Sequence, residues 1–169
     1  MARLTLSLLA ALLAFAGMAS ADPLPGPDVT LAPQPAQDDI ARWSDDGAVR
    51  LVNLLTPEET AALGYDIEAE AAARGMAYSA VPVGPETGGA AADALAVILA
   101  AEDGPVVIAC ASARRASHLY AASLIRSGAI EPDELDRIDP DRDWSPALLE
   151  RLSADSGPGE SAQTDTNGH

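Results

Sequence analysis

The chain has 169 residues and a formal net charge of -16, and all ten of its basic residues are arginine. An acidic surface of this kind repels nucleic acid and anionic lipid, which excludes both as expected partners. A single cysteine excludes an internal disulfide.

Arg3, the apolar run over residues 4–15 and the small residues Ala19-Ser20-Ala21 predict a secretory signal peptide over 1–21, cut before Asp22. Its apolar core is too short to span a bilayer, and no later segment is apolar enough to do so. The expected location is therefore periplasmic or secreted, with no membrane insertion after cleavage. The only phenylalanine, Phe15, lies in this leader, so the core must be built from Ala, Val, Leu and Ile with two Trp and three Tyr. Residues 22–37 are proline-rich and without period, an extended lead-in that covers 22–30 before the domain begins. Ile40 and Trp43, three apart behind Asp38 and Asp39, predict a short helix over 38–44, broken by Gly47.

Residues 50–55 are an apolar run of strand length. Thr56-Pro57-Glu58-Glu59 is a helix start, with a Thr cap, Pro at the first position and Glu three after the cap. The helix is expected to run to Arg74, with Gly64 weakening it and Gly75 just past its end. Residues 76–83 read as a second strand, 84–89 as a turn-rich loop, 90–101 as an alanine-rich helix and 105–109 as a third strand. A buried helix follows over 116–127. Residues 131–138 and 145–152 are expected to form short helices, the second capped by Ser145 with Pro146 at its first position, and 153–169 a disordered acidic tail. Strands alternating with helices imply an α/β fold, a three-layer α/β/α sandwich with a short central parallel sheet. Its domain is expected over 31–130, followed by a helical extension over 131–152.

Parallel sheets bind ligands beyond the carboxyl ends of their strands, and Cys110 sits at such an end. Ala111, Ser112 and Ala113 form a tight loop after it, and then come Arg114, Arg115 and a helix. Loop N–H groups and a helix start suit an oxyanion and favour a thiolate, while a guanidinium grips an anion through two parallel bonds. Cys110, Arg115 and the loop Ala111–Arg114 are thus the candidate site. The competing reading of Cys110 is a buried, inert thiol. Arg114 is expected to face solvent. Glu86 is the one acid in the loop after the second strand, and its plainer reading is an exposed carboxylate. His118 is expected to be a packed helix histidine rather than a base. Two histidines and one cysteine make no case for a zinc site.

Residues 31–127 resemble the phosphatase-like domain of beta-lactamase-hydrolase-like proteins, a bacterial family related to dual-specificity phosphatases. The resemblance rests on Ala32-Pro33-Gln34-Pro35, the helix over 38–44, Gly47-Ala48-Val49, Val52-Asn53-Leu54-Leu55, the stretch 78–83, and Cys110-Ala111-Ser112-Ala113-Arg114-Arg115-Ala116. That last stretch is similar to the family loop Cys-x-Ser-Gly-x-Arg-Ser. It departs at Ala113 for Gly and Ala116 for Ser, and Leu55 replaces an arginine on the first strand. The resemblance implies a protein-tyrosine-phosphatase-like fold and no metal or organic cofactor. It also implies hydrolysis of a small anionic phosphate ester through a cysteinyl-phosphate on Cys110, with Arg115 holding the anion and Glu86, the acid of the loop after the second strand, protonating the leaving oxygen. Arg115 follows Cys110 by five residues, a Cys-x4-Arg loop similar to that of rhodanese-type sulfurtransferases. A Cys110 persulfide formed from a sulfane sulfur donor is therefore the alternative, and a non-catalytic anion- or partner-binding domain is the third. Substrate identity and oligomeric state are not readable from the sequence.

Overall fold

The computed structural model describes residues 23–154. The expected signal peptide, and all but the first two residues of the tail expected over 153–169, lie outside the described residues. Among those residues, four parallel strands form one sheet: β1 Val29–Ala32, β2 Arg50–Asn53, β3 Ala77–Ala80 and β4 Val106–Ala109. Their order across the sheet is β1-β4-β2-β3. Every pairing is parallel, and β4 is hydrogen-bonded on both sides, aligning Ala109 with Ala32 of β1 and with Asn53 of β2.

All four residues of β4 are buried. Val106 and Ile108 point into one apolar cluster, and Val107 and Ala109 into another on the opposite face. A strand covered on both faces needs a continuous apolar run, which is what Val-Val-Ile-Ala supplies. One face is covered by α1 Gln37–Asp45 and α3 Ile67–Ala73, through Ile40, Trp43, Ile67 and Ala71. The other is covered by α4 Ala90–Ala100, α5 Arg114–Arg126 and α6 Pro146–Ser153, through Leu95, Leu99, Leu119, Leu124 and Leu152. This is the expected three-layer α/β/α sandwich. No described helix is long and apolar enough to cross a membrane.

The structure departs from the sequence reading at several places. The lead-in contributes a strand, β1, which the prolines on either side had hidden. An edge strand tolerates Pro at its ends because its outer side makes no ladder bonds. The helix expected from Thr56 to Arg74 is two helices, α2 Pro57–Ala61 and α3. Gly64 adopts φ 78, a left-handed turn that no helix continues through. Asp66 then caps α3 by accepting from the Ala69 N–H at 2.9 Å. Residues 131–138 form only a 3-10 turn, Leu135–Arg137. Ser145 precedes α6 as expected, but its hydroxyl makes no cap bond; its N–H is used elsewhere.

Candidate active site

The C-terminal ends of β1, β2 and β4 lie side by side, and β4 delivers Cys110 there. The Cys110 N–H donates to the Ala32 carbonyl of β1 at 3.1 Å, so the cysteine continues the sheet for one residue. Its side chain belongs to the apolar cluster beneath α4 and α5 and has no exposed surface. Ala111 and Ser112 are exposed, and Ser112 bridges to Pro33 after β1. Helix α5 begins at Arg114, two residues earlier than expected. Its first intrahelical bond runs from the Ser117 N–H to the Ala113 carbonyl. The N–H groups before it have no intrahelical partner, as at every helix start.

Ala113 holds the turn between loop and helix at φ 61, ψ -11, the one non-glycine residue with positive φ among the described residues. Its Cβ makes that conformation unfavourable for an L-residue. Ala113→Gly should therefore raise folding stability by about 0.5–1 kcal/mol, read as a higher urea midpoint. A lower midpoint would show that contacts of the alanine methyl outweigh the strain.

Arg115 is fixed on both sides. Its Nη1 donates to the Val83 carbonyl at 2.7 Å, and its Nη2 donates to both carboxylate oxygens of Glu59 at 2.8 and 2.9 Å. The side chains are 20% and 38% exposed, so this pair at the rim of the core is partly screened by water. Glu59 was legible in the sequence only as the third residue of a capping box. It fills that role too, accepting from the Thr56 N–H at 2.9 Å while Thr56 Oγ1 accepts from the Glu59 N–H at 3.3 Å. The Thr56 N–H holds its carboxyl below the usual glutamate range against the opposing effect of burial, and the Arg115 guanidinium adds to the lowering. The sequence placed Arg115 at the anion without this carboxylate beside it.

The other candidates fall as follows. Arg114 is exposed, at the rim of an open, mixed-charge hollow lined with Asp139, Asp141, Arg142 and Asp143. Glu86 is exposed in the loop 84–89, which meets the site through the Val83 carbonyl on Arg115. Asn53 ends β2 fully buried. Its amide donates to Thr60 Oγ1 and Tyr78 Oη, and its carbonyl accepts from the Leu55 N–H. Among the described residues, no group of three or more His, Cys, Asp or Glu is arranged to hold a metal ion.

His118, one turn into α5, is buried, as expected of a packed helix histidine. Its Nε2 accepts from the Ser145 N–H at 2.8 Å, so Nδ1 carries the proton and donates to the Arg114 carbonyl at 2.8 Å. Burial lowers its pKa, and the charges of Arg114 and Arg142 add to this, against the Arg114 carbonyl bond and Asp143. Protonation would set an Nε2–H against the Ser145 N–H. The stabilisation by neutral His118 is thus complete above the ordinary histidine value of about 6.5 and is lost as pH falls through the lowered folded value. Between pH 7.5 and 5.0 the urea midpoint of the wild type should fall further than that of His118→Gln. An equal fall in both would remove His118 as the acid-sensitive group.

The sequence and the fold have counterparts in known proteins. The chain is 33% identical over 113 residues to the beta-lactamase hydrolase-like protein of two Xylella fastidiosa strains, over 65% of this chain and 26% of theirs. It thus spans about a quarter of the length of the curated relatives it matches. Its fold is similar to that of PTPMT1, with a TM-score of 0.63 at 20% identity, covering 75% of this chain and 87% of that one. It is also similar to Tk-PTP in the active form, with a TM-score of 0.61 at 19% identity, covering 75% and 91%. Residues 24–127 match the family described as beta-lactamase hydrolase-like protein, phosphatase-like domain. That match runs from the residues leading into β1 to the end of α5 and so takes in every element that builds the Cys110 loop; the chain belongs to this phosphatase-like family.

Proposed function

We propose that the domain hydrolyses a small anionic phosphate ester through Cys110. The thiolate attacks phosphorus, forming the S–P bond as the ester P–O bond breaks. Arg115 and the N–H groups at the start of α5 take the equatorial oxygens. Glu86 gives its proton to the leaving oxygen. As a carboxylate it then accepts a proton from the water that attacks phosphorus, breaks the S–P bond and frees phosphate and thiolate. No metal or organic cofactor enters these steps. We place the protein outside the cytoplasm, with residues 1–21 removed on export.

The observation that carries this reading is Ala113. Loop strain persists where surrounding structure over-determines it, and such strain gathers at functional sites. Here an alanine holds the left-handed turn where the resemblance implies a glycine, and this supports the loop and helix start that follow Cys110. A second reading, a domain that binds an anion or partner without turnover, is favoured by the closed surface over Cys110 and by the carboxylate already on Arg115.

Intact-mass spectrometry of the secreted protein tests these points together. After brief exposure to an aryl phosphate, a phosphoryl adduct on Cys110 is expected, on a chain that starts at Asp22. A persulfide after thiosulfate, with no phosphoryl adduct, would replace the phosphatase with a sulfurtransferase. An unchanged thiol under both treatments would leave the binding domain, and a chain starting at Met1 would end the export proposal.

A further inference from the structure

The family match ends at residue 127, but the described chain continues to residue 154 and folds back onto α5 and α4. Helix α6 packs on α5 and α4. From it Arg151 Nη1 donates to the Gly84 carbonyl at 3.0 Å and to the Thr87 carbonyl. These two carbonyls flank Glu86, and Gly84 directly follows Val83, whose own carbonyl holds Arg115. The loop's internal ties are few: the Gly84 N–H donates to Thr87 Oγ1 at 2.9 Å, and the Thr87 N–H to the Gly84 carbonyl at 3.3 Å.

The far end of the same loop is fixed by contact. Arg126 is held by Asp93 at 2.7 Å, and it donates to the carbonyls of Ser153 and Ala154 at 2.9 and 3.0 Å, which anchors the end of α6. The Ala154 carbonyl then lies against Gly89, where an added Cβ would stand 2.1 Å from it. Gly89 is thus the glycine that permits this close approach. Nearer its start, the same segment is tied by the Ser145 N–H to His118 Nε2, one turn into α5.

We infer that residues 139–154 are a strap that sets the position of the loop 84–89, and that Arg151 is a positioning residue acting through Gly84 and Thr87 on Glu86 and, by way of Val83, on Arg115. Bonds from a guanidinium are about twice as strong as neutral ones, and a short surface loop without them opens readily. The effect on catalysis rests on the phosphatase reading; the effect on the loop does not.

Two measurements on the full chain separate them. In hydrogen exchange, Arg151→Ala should speed the amides of residues 84–90 by about tenfold or more, the loss of its two charge-assisted bonds to the loop, with β4 and the middle of α5 unchanged. Arg151→Lys should restore part of the protection, and Gly89→Ala, which pushes Ala154 away, should reproduce the loss. Unchanged exchange in this loop for both Arg151→Ala and Gly89→Ala overturns the strap, whatever the activity. In turnover, Arg151→Ala should lower kcat for phenyl phosphate about tenfold but for dinitrophenyl phosphate less than about twofold, because only the poor leaving group needs the acid carried by the loop. Equal losses for both esters would reduce Arg151 to a structural residue and overturn its positioning role. A wild type that hydrolyses neither ester removes the phosphatase reading alone, and the exchange result still decides the strap.

Discussion

Cys110→Ser should bring hydrolysis of phenyl phosphate down to the rate in buffer, a loss on the order of 10^4-fold or more, since removing the nucleophile of a protease costs on the order of 10^6-fold in kcat. Serine keeps the shape of the side chain but not its acidity, so no nucleophilic anion forms beside phosphorus. The side chain is fully buried in the cluster with Val52, Leu54, Ile108 and Leu119. The variant therefore needs an unchanged urea midpoint before its activity is read. Substantial remaining hydrolysis in a folded Cys110→Ser protein would remove the cysteinyl-phosphate from the mechanism.

The second large effect is expected at Arg115. Arg115→Ala should lower kcat for the same ester by roughly 10^2–10^3-fold, about 3–4 kcal/mol, the typical cost of one oxyanion donor. Arg114→Ala should matter far less, because Arg114 points to the exposed rim and Arg115 to Val83 and Glu59. Glu59 acts through Arg115, so Glu59→Gln, which can preserve the capping box while removing the charge, should cost about tenfold by letting the guanidinium wander. In a double-mutant cycle, Arg115→Ala with Glu59→Gln should be no worse than Arg115→Ala alone. Additive losses would show that Glu59 has a separate part in the reaction. The pair itself should persist through mild acid, because a carboxylate with a lowered pKa contributes above the ordinary glutamate range and is lost only as pH falls through its folded value.

The parts of the fold legible in the sequence were those fixed by local pattern. A strand buried on both faces must be apolar at every position, and residues 106–109 are. A helix packed against that strand must be apolar or small over most of its length, and α5 has nine successive buried residues, 116–124. With these two elements in place, the cysteine and arginines between them could fall only at the end of the central strand. Gly64 was visible as a weak point, but a composition argument cannot tell a weakened helix from two helices. That depends on the left-handed φ at Gly64 and on Asp66 capping a new start.

Composition and local order by themselves determined the α/β class, the parallel sheet, the position of Cys110 and the loop of Ala111, Ser112 and Ala113. Tertiary structure alone decided what surrounds them. Glu59 lies 56 residues from Arg115, and Arg151 lies 67 residues from Gly84. At such separations no propensity or period couples two side chains. β1 escaped notice because a short edge strand between prolines carries little periodic signal, and it is identified by its ladder with β4. The closed surface over Cys110, the carboxylate on Arg115 and the strap over the 84–89 loop all follow from how separately formed elements pack, since long-range hydrogen bonds exist only once the core has brought their ends together.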